Sequence, residues 1–357
     1  MRKSFQVMQL FAAGLLIVAL TLGCAPAATE VAPTAPPATS PPAAEEPTQP
    51  PPAAEEPSAF RVALVLPGSI SDKGFNQSAY EGLLMIESEL GAETAFSENT
   101  PVADFQQVYR GYGDQGYDVI IGHGFEFGEV ALEIAPEYPD IYFVVTNNPE
   151  AAAANVSSVQ PNSKDAAYLA GYLAGLMTES NKLGAVAGFD FPVIVAQMEA
   201  FKLGALAANP EVEVTIVYIG TFEDVAKAKE AALAQISAGA DIVYHIADAA
   251  GVGVIQAAQE QGVYAIGWGL DQNSIAPETV ITSEIVDTAR MMYLEVKDIQ
   301  EGMFDGTVRF FGLDTGVTGL SDYHGLVPDD VAQQVAAVQE QILSGALEVP
   351  FIPVPTE

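Results

Sequence analysis

The side chains best placed to do chemistry in this sequence stand just after short apolar runs. RVALVL at 61–66 is followed by Ser71, Asp72, Phe75 and Asn76, which set hydroxyl, carboxylate and amide groups beside a flat apolar ring at the start of a helical pattern. That combination suits an uncharged polar ligand bearing a ring; the alternative is a helix cap next to a buried aromatic. His123 and Phe125 follow DVIIG at 118–122, where the imidazole either donates to a ligand or is merely solvated. Asn147 and Asn148 end IYFVVT at 141–146 and either face a cleft or form a turn, and Phe191 follows KLGAVAG at 182–188, where an aromatic can close over a ligand. Tyr244 and His245 close DIVYHI at 241–246, and Trp268, Gly269 and Asp271 end or follow VYAIGW at 263–268; Trp268 either stacks on a ligand or joins the core.

Signals for catalysis are poor. Gly251-Val252-Gly253 lacks the third glycine of a dinucleotide fingerprint, and the Tyr293 to Lys297 spacing recurs by chance on helices. HExxH, GxSxG and P-loop patterns are absent from the chain. The three histidines, His123, His245 and His324, are far apart in sequence and Cys24 is the only cysteine, so neither a metal site nor a disulfide is expected. The reading is a non-enzyme with no catalytic residue, metal or cofactor. A formal net charge of −34, with only 11 of the 13 Lys and Arg after the first 24 residues and those scattered except for Lys227 and Lys229, leaves no basic stripe for a phosphate backbone. Nucleic acid and polyanionic ligands are therefore excluded, and the acidity reads as a heavily hydrated surface.

The elements that must position the strand-end groups alternate along the chain. The six apolar runs above, with VTIVYIG at 214–220, are separated by helical patterns such as Gln77 to Leu90. Such alternation indicates parallel sheets covered by helices on both faces. One series begins at Arg61 and a second near Lys182, joined by the helical stretch Lys164 to Met177. The expected fold is α/β, two doubly wound Rossmann-like lobes side by side, with ligand bound beyond the carboxyl ends of the strands.

Arg2 and Lys3, an apolar run from Leu10 to Leu22 and small residues before Cys24 read as an export signal. The run is too short for the roughly 20 residues a membrane span needs. Cys24 after Leu20-Thr21-Leu22-Gly23 is similar to the bacterial lipoprotein signal, whose cysteine becomes the lipidated first residue; Thr21 stands where leucine is usual. Residues 25–58 are rich in Pro, Ala, Thr and Glu and repeat PPAAEEP at 41–47 and 51–57, the composition of an extended tether.

The stretch SDKGFNQSAYEGL at 71–83 resembles the signature of the basic membrane protein family of lipoproteins, which includes purine-nucleoside receptors. The likeness continues through YPDIYFVVT, NVSSVQ, AAYLAGYLAGLM, IGW followed by DQ, and GLVPDDVAQQV with ILSGALEVP. It implies a type I periplasmic-binding fold with three hinge crossovers. The expected lobes are 59–162 plus about 285–307 and 163–284 plus about 308–352. It further implies a monomer on the outer face of the cell membrane, held by its lipid alone, delivering a nucleoside to an ABC permease. Asp72, Phe75 and Asn76 would contact the base, and the region of Tyr244, His245 and Asp248 would line the cleft. Nucleoside-binding relatives carry an aspartate for the ribose at the position of Gly269, and a lysine after the strand ITSE where this chain has Val286 or a neighbour. Losing a charged acceptor costs roughly 1.5 to 3 kcal/mol, so a sugar or other small polar metabolite stays open as ligand. A tethered sensor and an exported hydrolase are the other functional alternatives.

Overall fold

Val62 to Leu66 are five successive residues with no solvent exposure, as expected of a parallel strand enclosed by helices on both faces. The computed structural model describes residues 59–71 and 74–356. The signal segment, Cys24, the tether at 25–58 and Asp72 lie outside the described residues.

The first lobe begins with β1 (Arg61–Val65), α1 (Phe75–Leu90), β2 (Glu93–Ser97), α2 (Phe105–Asp114), β3 (Val119–His123), α3 (Phe127–Ile134), β4 (Tyr142–Thr146) and β5 (Val156–Pro161). The chain then crosses into α4 (Ser163–Met177), β6 (Lys182–Ala187), α5 (Pro192–Ala208), β7 (Glu213–Tyr218), α6 (Val225–Ser237), β8 (Ile242–Ile246), α7 (Gly251–Gln261), β9 (Tyr264–Gly269) and β10 (Val280–Val286). It returns through α8 (Thr288–Gln300) and β11 (Val308–Phe311), and crosses again to β12 (Thr318–Leu320) and α9 (Asp329–Leu343). The first sheet has the order β11-β5-β4-β3-β1-β2 and the second β12-β10-β9-β8-β6-β7. The two orders match strand for strand. All pairings in the first sheet are parallel, and only β12 on β10 is antiparallel in the second.

The expected lobe boundary at 307/308 moves. Residues 308–311 pair with β5 in the first sheet, Val308 opposite Ser158 and Phe311 opposite Pro161. Arg309 holds the strand there: its guanidinium reaches Glu295 Oε2 and Asp298 Oδ2 on α8, each at 2.6 Å. Ser157 donates to the other oxygen of Glu295 at 2.6 Å, so the buried carboxylate is satisfied on both sides. The crossover consequently follows Phe311.

The second lobe is organised by an unusually close helix pair. On α4 and α5 the facing positions are glycine and alanine, and a Cβ on Gly171 would lie 1.9 Å from the carbonyl oxygen of Phe201. A Cβ on Gly204 would lie 2.0 Å from the carbonyl oxygen of Tyr168. The helical stretch AYLAGYLAG is thus a packing device whose missing side chains let two backbones touch. Tyr168, Leu169 and Leu173 fill the surrounding core with Met198 and Phe201. Among the described residues, no helix is long and apolar enough to cross a membrane.

Gly171→Ala should lower unfolding stability by about 2 kcal/mol or more, because backbone rather than a flexible side chain must yield. Urea denaturation measures this; a loss under about 0.5 kcal/mol, the scatter of surface substitutions, would contradict the packing account.

Candidate functional site

The strands of both sheets end facing a cleft, and α1 starts on its rim. Phe75, the first residue of α1, turns its ring onto that of His123 at the end of β3, with centroids 3.8 Å apart. His123 is fully buried. Its Nε2 donates to the Phe75 carbonyl oxygen at 3.0 Å, which leaves Nδ1 to accept from the Thr146 hydroxyl at 2.9 Å. The histidine is therefore neither solvated nor on the cleft wall; it backs the aromatic that is. Asn76 is also buried, and its Oδ1 accepts from Gly68 N at 3.2 Å, folding the preceding loop against the helix.

The second lobe presents Trp268 and Gly269 from the end of β9. Gln272 controls this corner: its Oε1 accepts from His245 Nε2 at 2.8 Å and from the Trp268 backbone at 3.1 Å. Gln272 N donates to Ser283 Oγ at 3.0 Å. Trp268 Nε1 donates to Gln197 Oε1 on α5 at 3.4 Å. Gly269 has φ +87°, and no atom lies within 4 Å of where its Cβ would stand.

These groups enclose a cavity of about 150 Å³ between the lobes. Gly74, Phe75 and Ser78 form the first-lobe side; Asp248, Trp268, Gly269, Leu270 and Gln272 form the second. Val286 and Thr288 on the crossover close the back. The lobes nearly touch at the front, where a Cβ on Gly74 would be 3.3 Å from Asp248 Oδ1. That volume is below the roughly 300 to 1,000 Å³ of pockets that enclose drug-sized ligands.

Of the residues singled out in the sequence, the structure brings Phe75, Asp248, Trp268 and Gly269 together on this lining, with Val286 behind them. Ser71 is exposed on the entry loop, its hydroxyl 3.0 Å from that of Ser69. Phe125 is exposed after β3; Asn147 is half-buried with φ +60°, a turn conformation. Phe191 is exposed and stacks on Phe189, centroids 5.1 Å apart, while Phe222 meets Phe189 edge-on at 5.0 Å. Asp271 turns away to His324 Nε2 at 3.0 Å.

Tyr244 and His245 are corrected from the cleft to the interior, because each is fully enclosed and held by other protein groups. Tyr244 stacks on Phe201 and donates its hydroxyl to Glu284. Burial, and then the charge of Glu284, push the tyrosine well above its ordinary pKa. Burial pushes the Glu284 carboxyl up to about 8, against the lowering effect of the Tyr244 hydrogen bond, so it keeps its proton at neutral pH. Burial lowers His245 to about 4, opposed by its hydrogen bond to Gln272. Gln272, Ser78, Leu270 and Thr288 were not singled out, and of these only Gln272 carried a signal, as part of the DQ pair after IGW; Val286, which stands where the resemblance expects a lysine, is on the lining. Among the described residues no cluster of three or more His, Cys, Asp or Glu side chains is arranged to hold a metal.

Two lobes with matching strand order, three crossovers and a cavity at the strand ends define a binding protein of the type I periplasmic class. The chain belongs to the family described as ABC transporter substrate-binding proteins, PnrA-like, whose model matches residues 59–352. Among its relatives, the transcriptional activator protein med of Bacillus subtilis is 29% identical over 77% of this chain and 86% of its own length. Basic membrane protein A1 of Borrelia garinii is 28% identical over 82% and 88%. A Haloferax volcanii relative, whose name assigns it provisionally to glucose binding by an ABC transporter, is 28% identical over 80% and 73%. Among solved structures, a transcriptional activator of the comK gene from Bacillus halodurans superposes with TM-score 0.74 at 29% identity, covering 80% of this chain and 99% of its own. A solute-binding protein of an ABC transporter system from Conexibacter woesei gives 0.70 at 27%, covering 82% and 99%.

The lowered His245 pKa carries a signed expectation. The unfolded chain takes up this proton below about 6.5 and the folded chain only near 4, so stability is lost as pH falls between those values. The full loss is about 3 kcal/mol. The difference in urea stability between wild type and His245→Gln, followed from pH 7 to pH 4, should show that slope; a pH-independent difference would contradict it. Glu284 acts with the opposite sign, contributing stability that is lost as pH rises from about 4.5 to about 8.

Proposed function

We propose that the cavity between Phe75 and Trp268 takes a small neutral solute with a flat ring, a purine nucleoside, for delivery to an ABC permease. The observation that carries this reading is the lining itself: one aromatic from each lobe, uncharged polar groups at Ser78, Gln272 and Thr288, and, among the described residues, one carboxylate at Asp248. Aromatic walls favour a planar ring. A carboxylate accepts from ribose hydroxyls, so Asp248 offers the acceptor that Gly269 lacks. The PnrA-like description of the family and the motif at 71–83 support the same class. In this reading Cys24 carries the lipid anchor on the outer face of the membrane, and residues 25–58 hold the monomeric receptor away from it.

A sugar is the second reading. It is favoured by the absence of a side chain at Gly269 and by the glucose-binding name of the Haloferax volcanii relative.

A thermal-shift series with inosine, guanosine, adenosine, pyrimidine nucleosides, free bases and hexoses separates the two. Ligand at a hundredfold excess over its Kd stabilises by about 2.7 kcal/mol. Purine nucleosides should produce that shift; a shift from hexoses alone would replace the nucleoside with a sugar. Phe75→Ala should weaken nucleoside binding tenfold or more, about 1.4 kcal/mol, with little change in melting temperature, and a large loss of stability at unchanged affinity would make Phe75 structural only. Gly269→Asp should strengthen nucleosides relative to free bases, at a stability cost of about 1 to 2 kcal/mol from its left-handed backbone. Equal affinities before and after that change, measured by calorimetry, would remove the ribose from this corner of the cleft.

A further inference from the structure

A second, larger cavity of about 510 Å³ lies between the lobes beside the first crossover. Trp268, on the lining of the first cavity, donates to Gln197, on the lining of the second, and this contact stands between them. The first lobe contributes Gln160 from β5 and Phe310 from β11, directly opposite each other in the sheet. The second contributes Val193 and Gln197 from the start of α5 and Phe351 from the segment after α9.

Two features mark this chamber as built for a ligand. Three large apolar side chains from three separate segments turn out of their cores onto its wall: Phe310 is 63% exposed, Phe351 57% and Val193 54%. An apolar surface assembled in this way, rather than scattered singly, is characteristic of a binding site. Phe351 does not stand there by looseness of the terminus, because Thr356 N donates to the buried Glu199 at 3.0 Å and ties the segment to α5. The second feature is polar. Gln160 is 9% exposed, and its Nε2 is shielded from water without a hydrogen-bond partner. A buried donor left unpaired destabilises the fold, a cost that an acceptor on a bound molecule would recover. The charged group at the chamber, Lys164, is already paired with Asp165 at 2.8 Å, so nothing there calls for an ionised ligand.

We propose that this chamber is a second binding site, separate from the Phe75 and Trp268 cavity, for a small neutral bicyclic or similarly flat molecule carrying a carbonyl acceptor. The rings lie against Phe310, Phe351 and Val193, and the carbonyl accepts from Gln160 Nε2. Its volume falls within the roughly 300 to 1,000 Å³ of ordinary ligand pockets. Since both lobes and the crossover supply its walls, occupancy favours one lobe arrangement and is linked reciprocally to occupancy of the first cavity. The site stands whatever ligand the first cavity takes.

The test uses the full chain and two probes, quinolin-2-one, which has the carbonyl, and indole, which has the rings and no carbonyl. Calorimetric or ligand-observed NMR titration should show saturable quinolin-2-one binding to the wild type and indole binding at least tenfold weaker. Gln160→Met keeps length and removes the amide; it should weaken quinolin-2-one tenfold or more and leave indole unchanged, with urea stability equal to or above wild type. Phe310→Ser, on an exposed position, should weaken both probes. Absence of saturable quinolin-2-one binding would overturn the proposal, and so would binding that neither variant alters.

Discussion

The Phe75 ring and the enclosed His123 ring lie 3.8 Å apart, and the cleft wall of the first lobe rests on that contact. The imidazole uses one nitrogen on the Phe75 carbonyl and the other on Thr146, so a single buried side chain ties the start of α1 to the ends of β3 and β4. A ring held this way loses little further freedom when a ligand arrives, which removes part of the entropic cost of binding. The second lobe repeats the device at the matching place. His245 is next to last in β8, the counterpart of β3 in the matching strand order, and acts through Gln272 on the backbone of Trp268. Each lobe thus carries its cleft aromatic on a buried histidine at the same strand end.

That arrangement explains what sequence reasoning reached and what it did not. The strands enclosed by helices on both faces stand out as apolar runs, and the α4 stretch stands out by its small residues at helical spacing. β2 is an edge strand with no buried residue, ETAFS, and leaves no such run. β11 joins the first lobe through Arg309 and its partners on α8, a contact that local pattern does not encode. A strand-end residue faces either the cleft or the layer beneath it, and the sequence does not separate the two. Phe75 and Trp268 lie on the wall, whereas His123, Tyr244 and His245 lie behind it. Thr288 escaped notice because a crossover that closes a cavity is a tertiary feature.

Family membership fixes the architecture and the class of protein more firmly than the ligand. Relatives of nearly equal identity carry names as different as a transcriptional activator, a basic membrane protein and a glucose-binding protein. In this chain Gly269 leaves open space where a side chain could reach the ligand, and Asp248 brings a carboxylate to the same cavity from a neighbouring loop.

Trp268 is the only tryptophan in the chain, and it lines the cavity on which the account rests. Its fluorescence therefore reports on that cavity without substitution or label. Titration of the intact protein with inosine, excited at the red edge of tryptophan absorption, should give a saturable change in emission whose midpoint coincides with the calorimetric Kd. Calorimetric saturation by inosine with Trp268 emission unchanged throughout would place the ligand elsewhere and contradict the account.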